Sequence, residues 1–249
     1  MKTLMSYLWM LLHQVLTCIF IKARSIMSTN NGANYTLSWR FAIESNNLRS
    51  WPMVPRRCLP YIKTYMLGGQ YQHDIDMVIA EMLTYMNSII LKNDGKDIWI
   101  LDVDDTCISN LKYYERKNFG CDPFDREMFK SWILEGSCPA IHSMLVFYKK
   151  LIERGFKVFL LTGRHEEQLG SITALNLLLQ GFAGYERLIL RSSKYKGQSA
   201  EKFKSAIRKE IEGEGYRIHG NVGDQWSDLT GESIGARTFK LPNPMYFVS

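Results

Sequence analysis

The chain is poor in cysteine, with five in 249 residues, and none of them forms a C-x-x-C pair or stands with histidine at zinc-ligand spacing. A zinc ribbon or finger and a dithiol redox centre are thereby excluded. No stripe of lysine and arginine interleaved with aromatics occurs, although the formal net charge is +6, so nucleic acid is not an expected partner. No internal repeat and no low-complexity tract is present. Beyond the first twenty or so residues no run is apolar enough to span a bilayer, so no membrane span is expected once that segment is removed. What is there is ordinary for a globular protein: 46% apolar and 22% charged residues, in a length that suits one large domain with at most a small accessory one.

The N-terminus reads differently. Lys2 precedes "LMSYLWMLLHQVLTCIFIKARS", a basic start, an apolar run and then Ala23 and Ser25. That order is the one of a secretory signal peptide, residues 1–25, with the cut near Ser25. An uncleaved anchor is the alternative. Residues 26–37 are polar and expected to be loose. They contain Asn34-Tyr35-Thr36, an N-glycosylation acceptor triplet at Asn34. The expected route is secretory, to the exterior or the vacuole. Cys18 would leave with the signal. Cys58, Cys107, Cys121 and Cys138 allow three full pairings, with Cys121–Cys138 a candidate disulfide and simple burial the alternative for each.

Residues 39–92 are mostly helical in pattern, with Ile75, Val78, Ile79, Met82, Leu83, Met86, Ile89 and Ile90 at three- and four-residue steps. Buried strands are expected at 97–101, 156–161, 187–190, 216–223 and 236–241, with helices at 141–154, 166–180 and 201–212 between them. This alternation predicts βαβ crossovers and an α/β fold with a mostly parallel sheet. Ligands bind such sheets at the carboxyl ends of the strands. There the sequence delivers polar residues strand after strand: Asp102, Asp104, Asp105 and Thr106; then Thr162, Gly163 and Arg164; then Ser192, Ser193 and Lys194; then Asp224 and Asp228. Carboxylates crowded in this way repel, and a hard cation such as Mg²⁺ between them removes the conflict. Asp102, the backbone carbonyl of Asp104 and Asp224 could supply its oxygens.

This set resembles the haloacid dehalogenase (HAD) superfamily of phosphotransferases. "SWRFAIESNN", "YMLGGQY", "GYRIHGNVGDQWSDLTG" and "RTFKLPNPMYFVS" further resemble the plant acid phosphatases of class B, a group that includes vegetative storage proteins. The resemblance covers about residues 38–249. It implies a Rossmann-like parallel sheet with helices on both faces and a small cap inserted after the first core strand, at about residues 107–140. It also implies Mg²⁺-dependent hydrolysis of a small phosphomonoester. By position, Asp102 would be the nucleophile and Asp104 the acid/base. Thr162, Gly163 and Lys204 would bind phosphate, and Asp102, Asp104, Asp224 and Asp228 would serve the metal. Lys204, not Lys194 or Lys196, is the expected phosphate lysine. The usual cysteine two residues before "SWR" is replaced by Thr36, which leaves Cys58 without its usual partner. Two alternatives stand beside hydrolysis: a storage protein with little activity, and transfer of the phosphoryl group to an alcohol. Cap residues Tyr113, Tyr114, Phe119, Phe124 and Trp132 are lining candidates or packing. A homodimer is left open.

Overall fold

The computed structural model describes residues 34–249, so the expected signal segment lies outside the described residues. Helix α1 covers residues 34–44, then follow α2 (Leu59–Leu67) and α3 (Gln70–Ser88). The core alternates β1 (Asp97–Leu101), α4 (Leu111–Arg116), α5 (Arg126–Leu134), α6 (His142–Arg154), β2 (Lys157–His165), α7 (Glu166–Leu179), β3 (Arg187–Arg191), α8 (Ala200–Gly213), β4 (Arg217–Gly223), α9 (Trp226–Leu229) and β5 (Arg237–Lys240). The strands form one parallel sheet in the order β3-β2-β1-β4-β5. Helices α4 and α5 fill the insertion between β1 and α6, where the cap was expected.

Alternation along β1 sends its side chains to two layers. Trp99 and Leu101 enter a core shared with α3 and α6, and Ile98 and Ile100 enter one shared with Phe203, Ile207 and Ile211 of α8. Trp99 is fully buried, stacks on Phe239 at 5.6 Å and meets Phe147 edge-on at 5.1 Å. Opposite it stands Gly220, where a Cβ would come within 2.1 Å of the indole. The β1–β4 register shifts at that point, between Ile98 and Trp99. The sheet therefore accommodates its largest side chain by omitting one on the neighbouring strand.

Several expectations are corrected. Residues 34–37 are not loose but already helical in α1, where Thr36 is buried and Arg57 lies over the Tyr35 ring. Helix α3 stops at Ser88, Ile89 turns extended and Ile90 is left exposed, so the apolar pattern outruns the helix. Strand β2 continues through Thr162-Gly163-Arg164 instead of ending before them, because its pairing resumes at His165–Arg191 after a register shift. Cys121 and Cys138 are not joined. All four described cysteines are free and buried. Cys138 lies against Asn110 and Arg164, whereas Cys121 follows Gly120, whose carbonyl accepts from Val54 N just before Cys58. The two thiols thus serve different packing sites.

At the opposite end of the sheet from the polar rim, Asp97 joins β1 to β4. Its Oδ1 meets Arg217 Nε at 2.8 Å and His219 Nε2 at 2.7 Å, and its Oδ2 accepts from Lys92 N at 2.8 Å. The Arg217 hydrogen bond is the main cause holding the Asp97 carboxyl well below the usual carboxylate range. A depressed native pKa contributes stability that is present above the unfolded value of about 3.9 and fades as pH falls below it. Asp97→Asn should lower the unfolding free energy at pH 7 by about 2 kcal/mol. Denaturant titrations at pH 7 and pH 3 should show the wild type losing stability with acid and the variant losing less.

Candidate active site

The rim residues meet where β1, β2 and β4 end. Strand pairing sets Asp102 beside β4, with its N–H donating to Val222 O at 2.9 Å. Asp102, Asp224 and Asp228 each present a carboxylate oxygen, and the three oxygens lie within 4.8 Å of one another. All three residues are buried. Burial is the main cause that pushes the Asp102 carboxyl well above its ordinary pKa. Lys204 pulls it back, while Asp228, Asp224 and Asp104 push it further. Asp224 is pushed up to about 6, by burial first and then by Asp228.

Lys204 comes from α8 and is itself buried. Its ammonium lies 2.5 Å from both Asp102 Oδ1 and Asp228 Oδ1. Burial alone would lower its pKa, and the two carboxylates more than offset this, so the ammonium stays charged. One helical turn on, fully buried Arg208 donates to the backbone carbonyls of Asp228, Thr230 and Glu232. Positions four apart share one helix face. A single face of α8 therefore grips both the side chain and the backbone of the segment after β4. Lys194 is exposed and pairs with Glu210, and Lys196 is exposed on the cleft wall.

Asp104 turns the other way. Arg164 Nε donates to its two oxygens at 3.1 and 3.0 Å, Arg164 Nη2 to Oδ1 at 2.7 Å, and Asn110 Nδ2 to Oδ1 at 2.8 Å. Burial would raise its pKa, but the Arg164 charge and these hydrogen bonds bring it below the usual range. Thr162 is buried, with its hydroxyl 3.4 Å from Asp104 Oδ2 and accepting from Arg164 N at 3.1 Å. Gly163 is open to the cleft. Asp105 adopts φ 52° and turns inward, where Tyr246 and Asn110 donate to it. Asp and Asn tolerate this left-handed backbone better than most residues.

Sequence reasoning gave Arg164 no role, and it missed Asn110, Asn243 and Tyr246. Arg164 stands within a motif already singled out, and its type, a cation two positions after Thr162, was the signal available. Asn243 and Tyr246 lie on the chain after β5, which crosses the site without regular structure. Asn243 Nδ2 donates to Asp224 Oδ2 at 2.6 Å, and Gln225 Nε2 donates to the same oxygen at 2.7 Å. Tyr246 stacks on Tyr114 of α4 at 4.7 Å. Met245 O lies where a Cβ on Gly120 would approach to 1.8 Å, so tail and insertion touch backbone to backbone. Of the aromatic candidates, Tyr114 and Phe124 line the cleft, whereas Tyr113, Phe119 and Trp132 pack behind it, Trp132 donating to Asn110 Oδ1.

The family model of the HAD superfamily, subfamily IIIB (acid phosphatase), matches residues 22–249. The chain belongs to that family. Acid phosphatase 1 of Solanum lycopersicum is 47% identical over 211 residues, 85% of this chain and 82% of its own. Vegetative storage protein 1 of Arabidopsis thaliana is 35% identical over 213 residues, 85% of this chain and 78% of its own. The solved class C acid phosphatase from Bacillus anthracis has the same fold, with a TM-score of 0.60 at 19% identity over 75% of this chain and 83% of that one. The expected α/β fold with its parallel sheet and insertion after the first strand stands, and the chain is an acid phosphatase by family. HAD enzymes generally use a divalent metal, and the carboxylate trio fits one: three buried, hard oxygen donors that follow two strands, with the Lys204 ammonium already shared between two of them.

In this acid phosphatase Asn243 orients a carboxylate of that trio. Asn243→Ala should raise the divalent-cation concentration needed for half-maximal activity about 10-fold or more, as loss of an outer hydrogen-bond partner does at metal sites. Cation titrations of activity, with circular dichroism as the check on folding, measure it.

Proposed function

We propose that the protein is a Mg²⁺-dependent acid phosphatase that hydrolyses phosphomonoesters through an aspartyl-phosphate on Asp102. The observation that carries this reading is the separation of two carboxylates two residues apart. Asp102 faces Lys204 and the carboxylates of Asp224 and Asp228, while Asp104 faces Arg164. This separation supports a reading in which Asp102 attacks and Asp104 moves protons.

Asp102, the backbone carbonyl of Asp104, Asp224 and Asp228 would hold the cation, directly or through water. The bound cation supplies neutralisation of the phosphoryl oxygens and of the crowded carboxylates. An Asp102 oxygen attacks phosphorus as the ester P–O bond breaks, and the leaving oxygen takes the proton of Asp104. Asp104, now a carboxylate, accepts a proton from water. The water oxygen attacks phosphorus, and the bond to Asp102 breaks to release inorganic phosphate. Lys204 has two of its three N–H donors on Asp102 and Asp228, which leaves a third for a phosphoryl oxygen. Thr162 and the backbone at Gly163 complete the phosphoryl cradle. Arg164 keeps Asp104 ionised in the free site, so Asp104 takes up the proton it later gives when a phosphomonoester binds and the ester's negative charge raises the carboxyl's proton affinity.

The storage-protein relatives share the fold, but every residue these steps require is present here. The secretory route rests on the N-terminal composition, on exposed Asn34 and on relatives named stem glycoproteins, such as the Glycine max stem 31 kDa glycoprotein, 37% identical over 85% of this chain. Among the described residues no helix is long and apolar enough to cross a membrane.

Asp102→Asn should reduce hydrolysis of p-nitrophenyl phosphate by several orders of magnitude, as for other members of a covalent catalytic unit. Wild-type protein stripped with EDTA should regain activity with Mg²⁺. More than a tenth of the wild-type rate in the variant would refute the nucleophile. Full activity without any divalent cation would refute the metal role.

The lysine assignment has its own test. Lys204→Met should cost at least ~100-fold in kcat/KM, about 2.7 kcal/mol of transition-state stabilisation. Lys194→Met should change it only a few-fold, since that side chain is exposed and bound to Glu210. Steady-state kinetics of the two variants decide it.

A further inference from the structure

The catalytic cluster occupies little of the cleft it opens into. The cleft encloses about 1270 Å³, at or beyond the upper range for pockets that hold whole small molecules. Its walls carry five cations outside the catalytic cluster: Lys117, Arg126 and Lys130 from the insertion, and Arg191 and Lys196 from the sheet side. None of the five has an acid within ion-pair distance among the described residues. The acids on the same walls are mostly engaged. Asp122 is held by Arg56 at 2.8 Å, and Glu167 accepts from Ser193 N at 3.0 Å. Outside the catalytic cluster these five cations stand against three acids, Asp122, Glu127 and Glu167, so that part of the cleft is net positive, whereas the carboxylates around Asp102 make the catalytic end negative.

Arg191 is the most constrained of the five. It is the last residue of β3, and its side chain lies over the Phe203 ring at 5.1 Å. Among the described residues its buried Nε has no hydrogen-bond partner, and its guanidinium makes one long hydrogen bond, from Nη1 to Gln198 O at 3.4 Å. Burial lowers its pKa with nothing set against it. Arg164, Arg187 and Arg217 each face a carboxylate instead. A guanidinium with unfilled donors at the carboxyl end of a strand, on the wall of a cleft that takes phosphate esters, is short of an anion. Strand β3 lies two places from β1 in the sheet, and strands are about 4.8 Å apart, which puts this end roughly 10 Å from that of β1.

We propose that Arg191, with Lys196 on the same side of the cleft, forms a second anion subsite, and that the preferred substrate is a phosphomonoester whose leaving group carries a further carboxylate or phosphate. The inference rests on the phosphatase reading and deepens it. The phosphoryl group being transferred is served by Lys204 and Thr162, whereas the distant anion is served by the Nη donors of Arg191, which are not among its buried, unpartnered atoms.

Three matched probes test it: glucose 6-phosphate, with no second anion; 6-phosphogluconate, with a carboxylate; and glucose 1,6-bisphosphate, with a phosphate. At low ionic strength one or both of the doubly anionic probes should show a kcat/KM about 10-fold above glucose 6-phosphate, and the preference should shrink as salt is added. Which of the two gains identifies the anion. Arg191→Gln should bring the ratio towards one, mainly through KM, and the exposed Lys196→Glu should lower it in the same sense. A wild-type ratio near one, or an Arg191→Gln loss equal for all three probes, overturns the subsite while hydrolysis of p-nitrophenyl phosphate keeps the phosphatase reading. Failure to hydrolyse any of these esters with Mg²⁺ present overturns both.

Discussion

Three carboxylates buried within reach of one another can all stay ionised only if positive charge lies among them, and the ammonium of Lys204 reaches two of them, Asp102 and Asp228. An ammonium in contact with two carboxylates in a poorly solvated site gains far more than it would at the surface, where water and salt screen it. Each group alone would cost several kcal/mol to bury. Their positions are therefore interdependent. Asp102 has to follow β1, Asp228 has to lie in the first turn after β4, and α8 has to pass over both. The parallel pairing of β1 with β4 provides the first two conditions, and the apolar side of α8, Phe203, Ile207 and Ile211 against the sheet, provides the third. Arg208 then ties the α9 turn to the same helix through its carbonyls. A shift of α8 along its axis would break charge and backbone contacts together.

A second set of constraints comes from the chain after β5. It has no ladder of its own, so its polar groups are satisfied by the site: Asn243 on Asp224, Tyr246 on Asp105, Val248 N on Gln225 and Ser249 O on Ala200 N. Through the Tyr114 stack and the Gly120 contact it also touches the insertion. The cleft is thus walled by strand ends, an insertion and a tail that lie far apart in sequence. The polar cluster is concentrated at the ends of β1, β2 and β4, and the remaining walls, the end of β3 among them, are where a leaving group would lie.

The difference between these two sets explains what could be read from the sequence. The run "IWILDVDDT" is legible because a buried strand has to be apolar and its carboxyl end need not be. Lys204 is legible because a helix start holds a long side chain rigidly over the strand ends, whereas Lys194 and Lys196 sit in a polar loop. Strand β2 reads short because Thr162-Gly163-Arg164 has turn-like composition, and only the pairing of His165 with Arg191 reveals that it continues. Asn243 and Tyr246 leave no periodic trace, since hydrogen bonds made by an irregular segment follow neither a 2.0 nor a 3.6 repeat. The pairing of Cys121 with Cys138 was suggested by count and compartment alone, and neither specifies distance.

The buried cluster also bears on the choice between catalyst and store. Replacing a buried ion pair by well-packed apolar groups is often neutral or stabilising, so Lys204, Asp102 and Asp228 are not the arrangement that stability alone would select. A protein serving only as a reserve of amino acids needs a fold that lasts, and the aromatic core around Trp99 supplies that without the cluster. On the proposed mechanism the carboxylates serve a cation and a phosphoryl group that complete their charge balance. The same reasoning extends to Asp104, whose Arg164 partner separates it from the trio and gives it a different proton affinity. The first of the two proposed steps needs Asp102 ionised and Asp104 protonated, the reverse of these resting shifts; a divalent cation beside Asp102 would lower its proton affinity, and a bound phosphomonoester beside Asp104 would raise that of Asp104.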